Sequence, residues 1–135
     1  MRRIILFTLV LLSVWGCATK KVKPEPPLFN YAANDQSLIE LLVKQGSNAN
    51  KHHWVSFIVD CETEKQVSEI ISKAKLIGFD DDYISYSEKR KLWSSSLSVQ
   101  MKLNIIEISA SRAKLMPLIP TKTCGGVGWG ATVVM

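Results

Sequence analysis

The chain has 135 residues, with 17 basic and 12 acidic side chains and a formal net charge of +5. Its hydrophobic share of 47% excludes a disordered chain and is enough for one packed core at this length. The basicity sits at the N-terminus: from Asp35 onward, 12 basic side chains face 11 acidic ones, a net of +1. This excludes a strongly basic nucleic-acid face, and no direct nucleic-acid partner is expected.

Arg2 and Arg3 precede an apolar run, IILFTLVLLSV, over residues 4 to 14. A membrane-spanning helix needs roughly 20 such residues. The short run and its basic flank fit a secretory signal peptide over residues 1 to 16. The run ends Val14-Trp15-Gly16-Cys17. This ending resembles the lipobox of bacterial lipoproteins, although Trp15 stands where a small residue is usual. In that family the cysteine thiol receives a diacylglycerol, the chain is cut before it, and the new N-terminus is acylated. The resemblance implies lipidation at Cys17. Position 18 is Ala rather than Asp, which implies sorting to the outer membrane, with the domain facing the periplasm. Residues 17 to 34 then read as a lipid-anchored tether. Its segment ATKKVKPEPP has three lysines, three prolines and no periodicity, as an extended solvated spacer would.

Residues 35 to 135 form the expected domain. DQSLIELLVKQ, residues 35 to 45, predicts a first helix from Leu38, Ile39, Leu41 and Leu42, with Gly46 as its stop. WVSFIVD, residues 54 to 60, predicts a central strand, apolar on both faces. Thr63-Glu64-Lys65-Gln66 matches a capping box. Val67, Ile70, Ile71, Ala74 and Ile77 follow at helical spacing, and Gly78 ends that helix.

FDDDYISYSE, residues 79 to 88, reads as a strand, with Lys89-Arg90-Lys91 in a turn. In LWSSSLSVQM, residues 92 to 101, Trp93, Leu97, Val99 and Met101 share one face, and Ser94, Ser96, Ser98 and Gln100 share the other. That predicts a strand with one dry and one wet side. Asn104 caps a third helix whose expected core residues are Leu103, Ile106, Ala110 and Ala113, limited by Pro117. LIPTKTCGGVG reads as a loop and WGATVVM, residues 129 to 135, as the last strand. The order after the first helix is β-α-β-β-α-β. This is an α+β, ferredoxin-like split arrangement with an antiparallel sheet and an extra N-terminal helix.

The first helix ending at Gly46, "HHWVSFIVD", "LIGF" at Gly78-Phe79, the polar third strand and "GGVGWGATVV" with Gly128-Trp129 occur in an order that is similar to the regulator of ribonuclease activity B (RraB) family. The resemblance implies a non-catalytic protein-binding regulator. The family's best-known member inhibits ribonuclease E in the cytoplasm. The sequence departs from that inhibitor in showing no acidic tail and in an expected export leader over residues 1 to 16.

The remaining motifs point to no reaction. His52 and His53 are adjacent, so a strand sends them to opposite faces. Asp80-Asp81-Asp82 lacks calcium-loop spacing and reads as a solvated turn. The glycines of residues 125 to 130 lack the lysine and the following helix of a phosphate loop, and read as permitting close approach of chain to sheet. No catalytic residue, metal ligand or cofactor is implied. Cys61 and Cys124 flank neighbouring antiparallel strands of the expected sheet and form a candidate disulfide, with two buried free thiols as the alternative. The candidate partner surface is the sheet face of Ser94, Ser96 and Ser98, or the hairpin Lys89, Arg90, Lys91 and Trp93.

The sequence therefore supports a regulatory domain displayed from the envelope by its lipid, binding an unidentified protein. The alternatives are a cytoplasmic inhibitor of ribonuclease E whose leader is a misassigned start, or an envelope enzyme or small-ligand binder. Cys17→Ser is expected to leave an unprocessed precursor, read by mass spectrometry of the envelope fraction. Normal cleavage and localisation of that variant would overturn the lipoprotein assignment.

Overall fold

A computed structural model describes residues 31 to 135. The expected signal peptide, Cys17 and the expected tether up to residue 30 lie outside the described residues, and residues 31 to 34, expected as tether, belong to α1. The elements are α1 (Tyr31–Lys44), β1 (His52–Cys61), α2 (Glu64–Leu76), β2 (Asp80–Ser87), β3 (Leu92–Lys102), α3 (Ile105–Leu115), a single 3-10 turn (Met116–Leu118) and β4 (Cys124–Ala131). The four strands form one antiparallel sheet in the order β2-β3-β1-β4. This is the expected ferredoxin-like arrangement preceded by a helix, and β1 is central.

Local chemistry sets the helix ends. Gln66 N–H donates to Thr63 Oγ1 at 3.3 Å, and Thr63 N–H donates to Gln66 Oε1 at 3.1 Å, which completes the capping box of α2. Asn104 Oδ1 accepts from Glu107 N–H at 2.8 Å and caps α3. Helix α2 ends in a Schellman motif: Phe79 N–H reaches Ala74 C=O, Gly78 N–H reaches Lys75 C=O, and Gly78 has φ +97°. The end of α1 repeats this pattern through Gly46, with Ser47 N–H on Leu42 C=O.

The core lies between the helices and one face of the sheet. On β1, Val55, Phe57, Val59 and Cys61 are buried, while Trp54, Ser56, Ile58 and Asp60 point to the open side. Val67, Ile70, Ile71 and Ala74 of α2 complete the packing, whereas Ile77 lies beyond the helix and is exposed.

Three expectations are corrected. Helix α1 starts at Tyr31, before Asp35. Helix α3 buries Ile108, Arg112 and Leu115; Ile106 is 77% exposed, and Ala110 and Ala113 are also exposed. The apolar residues alone pointed to the wrong face, because an arginine occupies a core position. Strand β4 starts at Cys124, inside the segment expected to be loop, and ends at Ala131. There the pairing slips: Ile58 faces Gly128 and Val59 faces Gly126, leaving Val127 as a bulge at φ +73°.

The bulge requires glycine beside it. A Cβ on Gly126, at φ +108°, would lie 2.5 Å from the carbonyl oxygen of Ile58. A Cβ on Gly78 meets nothing within 4 Å. Gly78→Ala is therefore expected to cost about 1 kcal/mol for its backbone conformation alone. Gly126→Ala adds a backbone collision and is expected to cost more, about 2–3 kcal/mol. Denaturant unfolding of both variants checks the order.

Candidate functional site

The open face of the sheet is built from cross-strand pairs. Asp60 faces Ser94, Ile58 faces Ser96, Ser56 faces Ser98 and Trp54 faces Gln100. Ser94, Ser96 and Ser98 are only 3–6% exposed. They lie on the expected face, but it is not wet at these positions, because their hydroxyls are held under larger polar groups. Ser94 Oγ donates to Asp60, and Arg90 spans the same carboxylate with two bonds, Nη1–Oδ2 at 2.8 Å and Nη2–Oδ1 at 3.1 Å. Arg90 Nη2 also donates to Ser94 Oγ at 3.1 Å. The hydrogen bond to Asp60 holds the Arg90 guanidinium above its ordinary value.

A second carboxylate sits farther along the same face. Ser96 Oγ donates to Asp82 Oδ2 at 3.2 Å, and Ser98 Oγ donates to the same oxygen at 2.8 Å. Ser56 Oγ is 2.8 Å from Ser98 Oγ. Because Ser98 gives its proton to Asp82, Ser56 is the donor in that contact. Beside this chain lies an open cleft of about 630 Å³, lined by Trp54, Ser56, Asp80, Asp82, Ser98, Gly130, Ala131 and Thr132.

The acidic triplet is part of strand β2 rather than a turn. Asp82 serves the open face. Asp81 pairs instead with Lys75 Nζ at 2.5 Å, and that hydrogen bond holds its carboxyl below the usual carboxylate range. Among the described residues, no three His, Cys, Asp or Glu side chains gather as a metal site. His52 is exposed. His53 is buried, donating from Nδ1 to Lys51 C=O at 2.8 Å, with Nε2 at 3.3 Å from Ser47 Oγ. The two rings do point apart.

The hairpin does not form one patch. Lys89, Arg90 and Lys91 are exposed in the turn, where Lys91 has φ +53°. Arg90 folds onto the serine face. Trp93 lies on the opposite, helix-covered face against Tyr86, with ring centroids 5.1 Å apart. Cys61 and Cys124 are register partners on β1 and β4, with Cα atoms 4.1 Å apart and their sulfurs bonded at 2.11 Å.

A buried polar node ties α1, α3 and β4 together. Arg112 Nη1 and Nη2 donate to Asp35 Oδ2 and Oδ1 at 2.6 and 2.7 Å. Trp129 Nε1 donates to Asp35 Oδ1 at 2.9 Å, and Arg112 Nε donates to the carbonyl of Val127 at 3.2 Å. The Tyr31 ring covers the guanidinium, 4.4 Å from its carbon. Gly128-Trp129 supplies one member of this node, which gives the Gly-Trp of the last strand a structural reason.

The family model described as Regulator of ribonuclease activity B matches residues 32–131, from the first turn of α1 to the end of β4. The chain belongs to this family. No curated protein matches it. The RraB match covers the Asp35–Arg112 node, the disulfide and the open face, and RraB domains are regulators by description.

Sequence reasoning did not find the node, Trp54 or Asp82 as site residues. The one available signal for the node was a charged residue at each of two core-facing helix positions, which reads as solvated until the partners are known. In this RraB domain, Asp35→Ala is expected to cost about 3–5 kcal/mol, because it strands a buried guanidinium. The double change Asp35→Leu with Arg112→Met is expected to cost less than Asp35→Ala alone. Thermal unfolding of the set checks the sign of the coupling.

Proposed function

We propose that the protein is a non-catalytic, protein-binding regulator of the RraB family, held at the bacterial envelope by lipid on Cys17 and working outside the cytoplasm. The observation that carries this reading is the Cys61–Cys124 bond inside the domain, with Cys61 fully buried. Structural disulfides persist in oxidising compartments and are rare in the cytosol. The leader over residues 1 to 16 and the tether before the domain supply the route and the spacing. The outer membrane is the destination that Ala18 favours.

The contact surface is the open sheet face. Trp54 and Ile58 are 49% and 41% exposed there, and the Arg90–Asp60 pair stands beside them. The serines beneath position these groups rather than touch a partner. Ribonuclease E enters only as the target of a family member. A domain outside the cytoplasm does not meet it, and a side-chain charge of +1 gives weak electrostatic steering towards any strongly charged partner.

Affinity capture from detergent-solubilised envelope, with mass spectrometry of bait and partners, tests this reading. The expected bait begins at an acylated Cys17, has no free thiol at Cys61 or Cys124, and brings down an envelope protein. A bait that keeps residues 1 to 16 or starts elsewhere, carries free thiols and co-purifies with ribonuclease E would replace this proposal by the cytoplasmic inhibitor.

A further inference from the structure

We propose that the cleft on the open sheet face binds a small aliphatic diamine, held between the Trp54 indole and the carboxylates of Asp80 and Asp82. The site stands whether or not the domain also binds a protein. It lies on the same face as the proposed partner surface, so occupancy of the cleft would also change what a partner meets.

The direction of the hydroxyls sets the chemistry. Ser56 donates to Ser98, and Ser98 and Ser96 donate to Asp82. Their protons are committed inside the wall. What they leave facing the cleft is acceptor capacity: the free lone pairs of Asp82, the Asp80 carboxylate and the Ser56 oxygen. The lining holds two carboxylates and no cationic side chain, so a phosphate or carboxylate would meet net negative charge with only the Thr132 hydroxyl and the Trp54 N–H to offset it. The ligand must be a donor.

Charge narrows the class further. Asp35, Asp60 and Asp81 are each paired with a cation, Arg112, Arg90 and Lys75 respectively. Among the described residues, no ion pair reaches Asp80 or Asp82. A neutral polyol laid over them would strip water from two carboxylates without returning a counter-charge. An ammonium returns both the charge and a strong hydrogen bond.

Geometry then selects a diamine. Asp80 and Asp82 are two residues apart on β2, whose pairing with β3 slips after Asp81, so their span along the strand is at most about 7 Å. Two ammonium groups on a short alkyl stem match two carboxylates at that spacing. Trp54 is half-exposed on the cleft wall, where its ring can cover methylene groups and attract a cation. The next pair beyond Trp54 and Gln100 is His52 with Lys102, both exposed. Lys102 puts a positive charge at that end, so a long polyamine is repelled where a short diamine fits.

The test uses the full chain in detergent micelles, titrated with putrescine by calorimetry and by the indole N–H resonance of Trp54. Saturable binding is expected, moving the Trp54 signal and weakening as salt is raised. Trp54→Ala and Asp80→Asn should each weaken it by about tenfold or more; both side chains are exposed, and unchanged circular dichroism confirms that the variants fold. Lys73→Ala, on the distant α2 surface, should leave affinity unchanged.

The proposal is overturned by no saturation at millimolar putrescine, by equal binding of butanediol, or by affinity that ignores Trp54→Ala and Asp80→Asn. Tighter binding of a short arginine peptide than of putrescine would also overturn it, because the site would then serve a protein side chain. None of these results bears on lipidation or on the captured partner, so failure here is separable from failure of the proposed function.

Discussion

One ion pair constrains the rest of this molecule. Asp35 and Arg112 are both nearly inaccessible to water, at 3% and 6% exposure. Removing two charges from water costs several kcal/mol each, and their attraction offsets that only when geometry is good and the remaining donors are satisfied. Here the geometry is good: both carboxylate oxygens accept from the guanidinium, the indole of Trp129 adds a third bond to Asp35, and the carbonyl of Val127 accepts from Arg112 Nε. Few alternative packings of α1 across α3 and β4 could satisfy the same atoms. The pair therefore acts on register more than on net stability.

Other irregularities follow from it. Helix α3 turns an arginine to the core and leaves Ile106 in solvent. Strand β4 carries a β-branched residue at positive φ, which is uncommon and strained. The bulge sets the Val127 carbonyl towards Arg112 Nε, and Gly126 lets the chain press against β1 at the same point. Backbone strain in β4 and the buried charge in α3 are two halves of one arrangement.

Much of the fold was legible because it depends on short-range periodicity. The capping box at Thr63, the glycine stop at Gly78 and the alternation of β3 each declare themselves within a few residues. So did the opposed directions of His52 and His53. What failed was long-range. Arg112 reads as solvated until Asp35, 77 positions away, is known to face it. The start of β4 reads as loop because its glycines carry no strand signal, and only the β1 backbone makes them a strand. The cleft was illegible for the same reason. Trp54, Asp82 and Thr132 come from separate segments, and the serine ladder that joins them looked like simple wetness. A polar face was predicted correctly in position and wrongly in character, because hydroxyls opposite carboxylates become a floor rather than a surface.

The two ends of the sheet are not equivalent. Tyr31, the first residue of α1, shares a groove with Cys124, Gly125 and Gly126, at the end of β1 that finishes in Cys61. The cleft lies at the other end, around Trp54 and Thr132. Trp54 and Cys61 are seven positions apart on β1, about 23 Å of extended chain. The described chain thus begins beside the disulfide, which joins β1 to β4 at that end. The cleft and the exposed Trp54 lie at the opposite end of the sheet from that start. The Asp35–Arg112 pair, which holds α1 against α3 and β4, therefore also sets the start of the described domain at the disulfide end of the sheet, opposite the cleft.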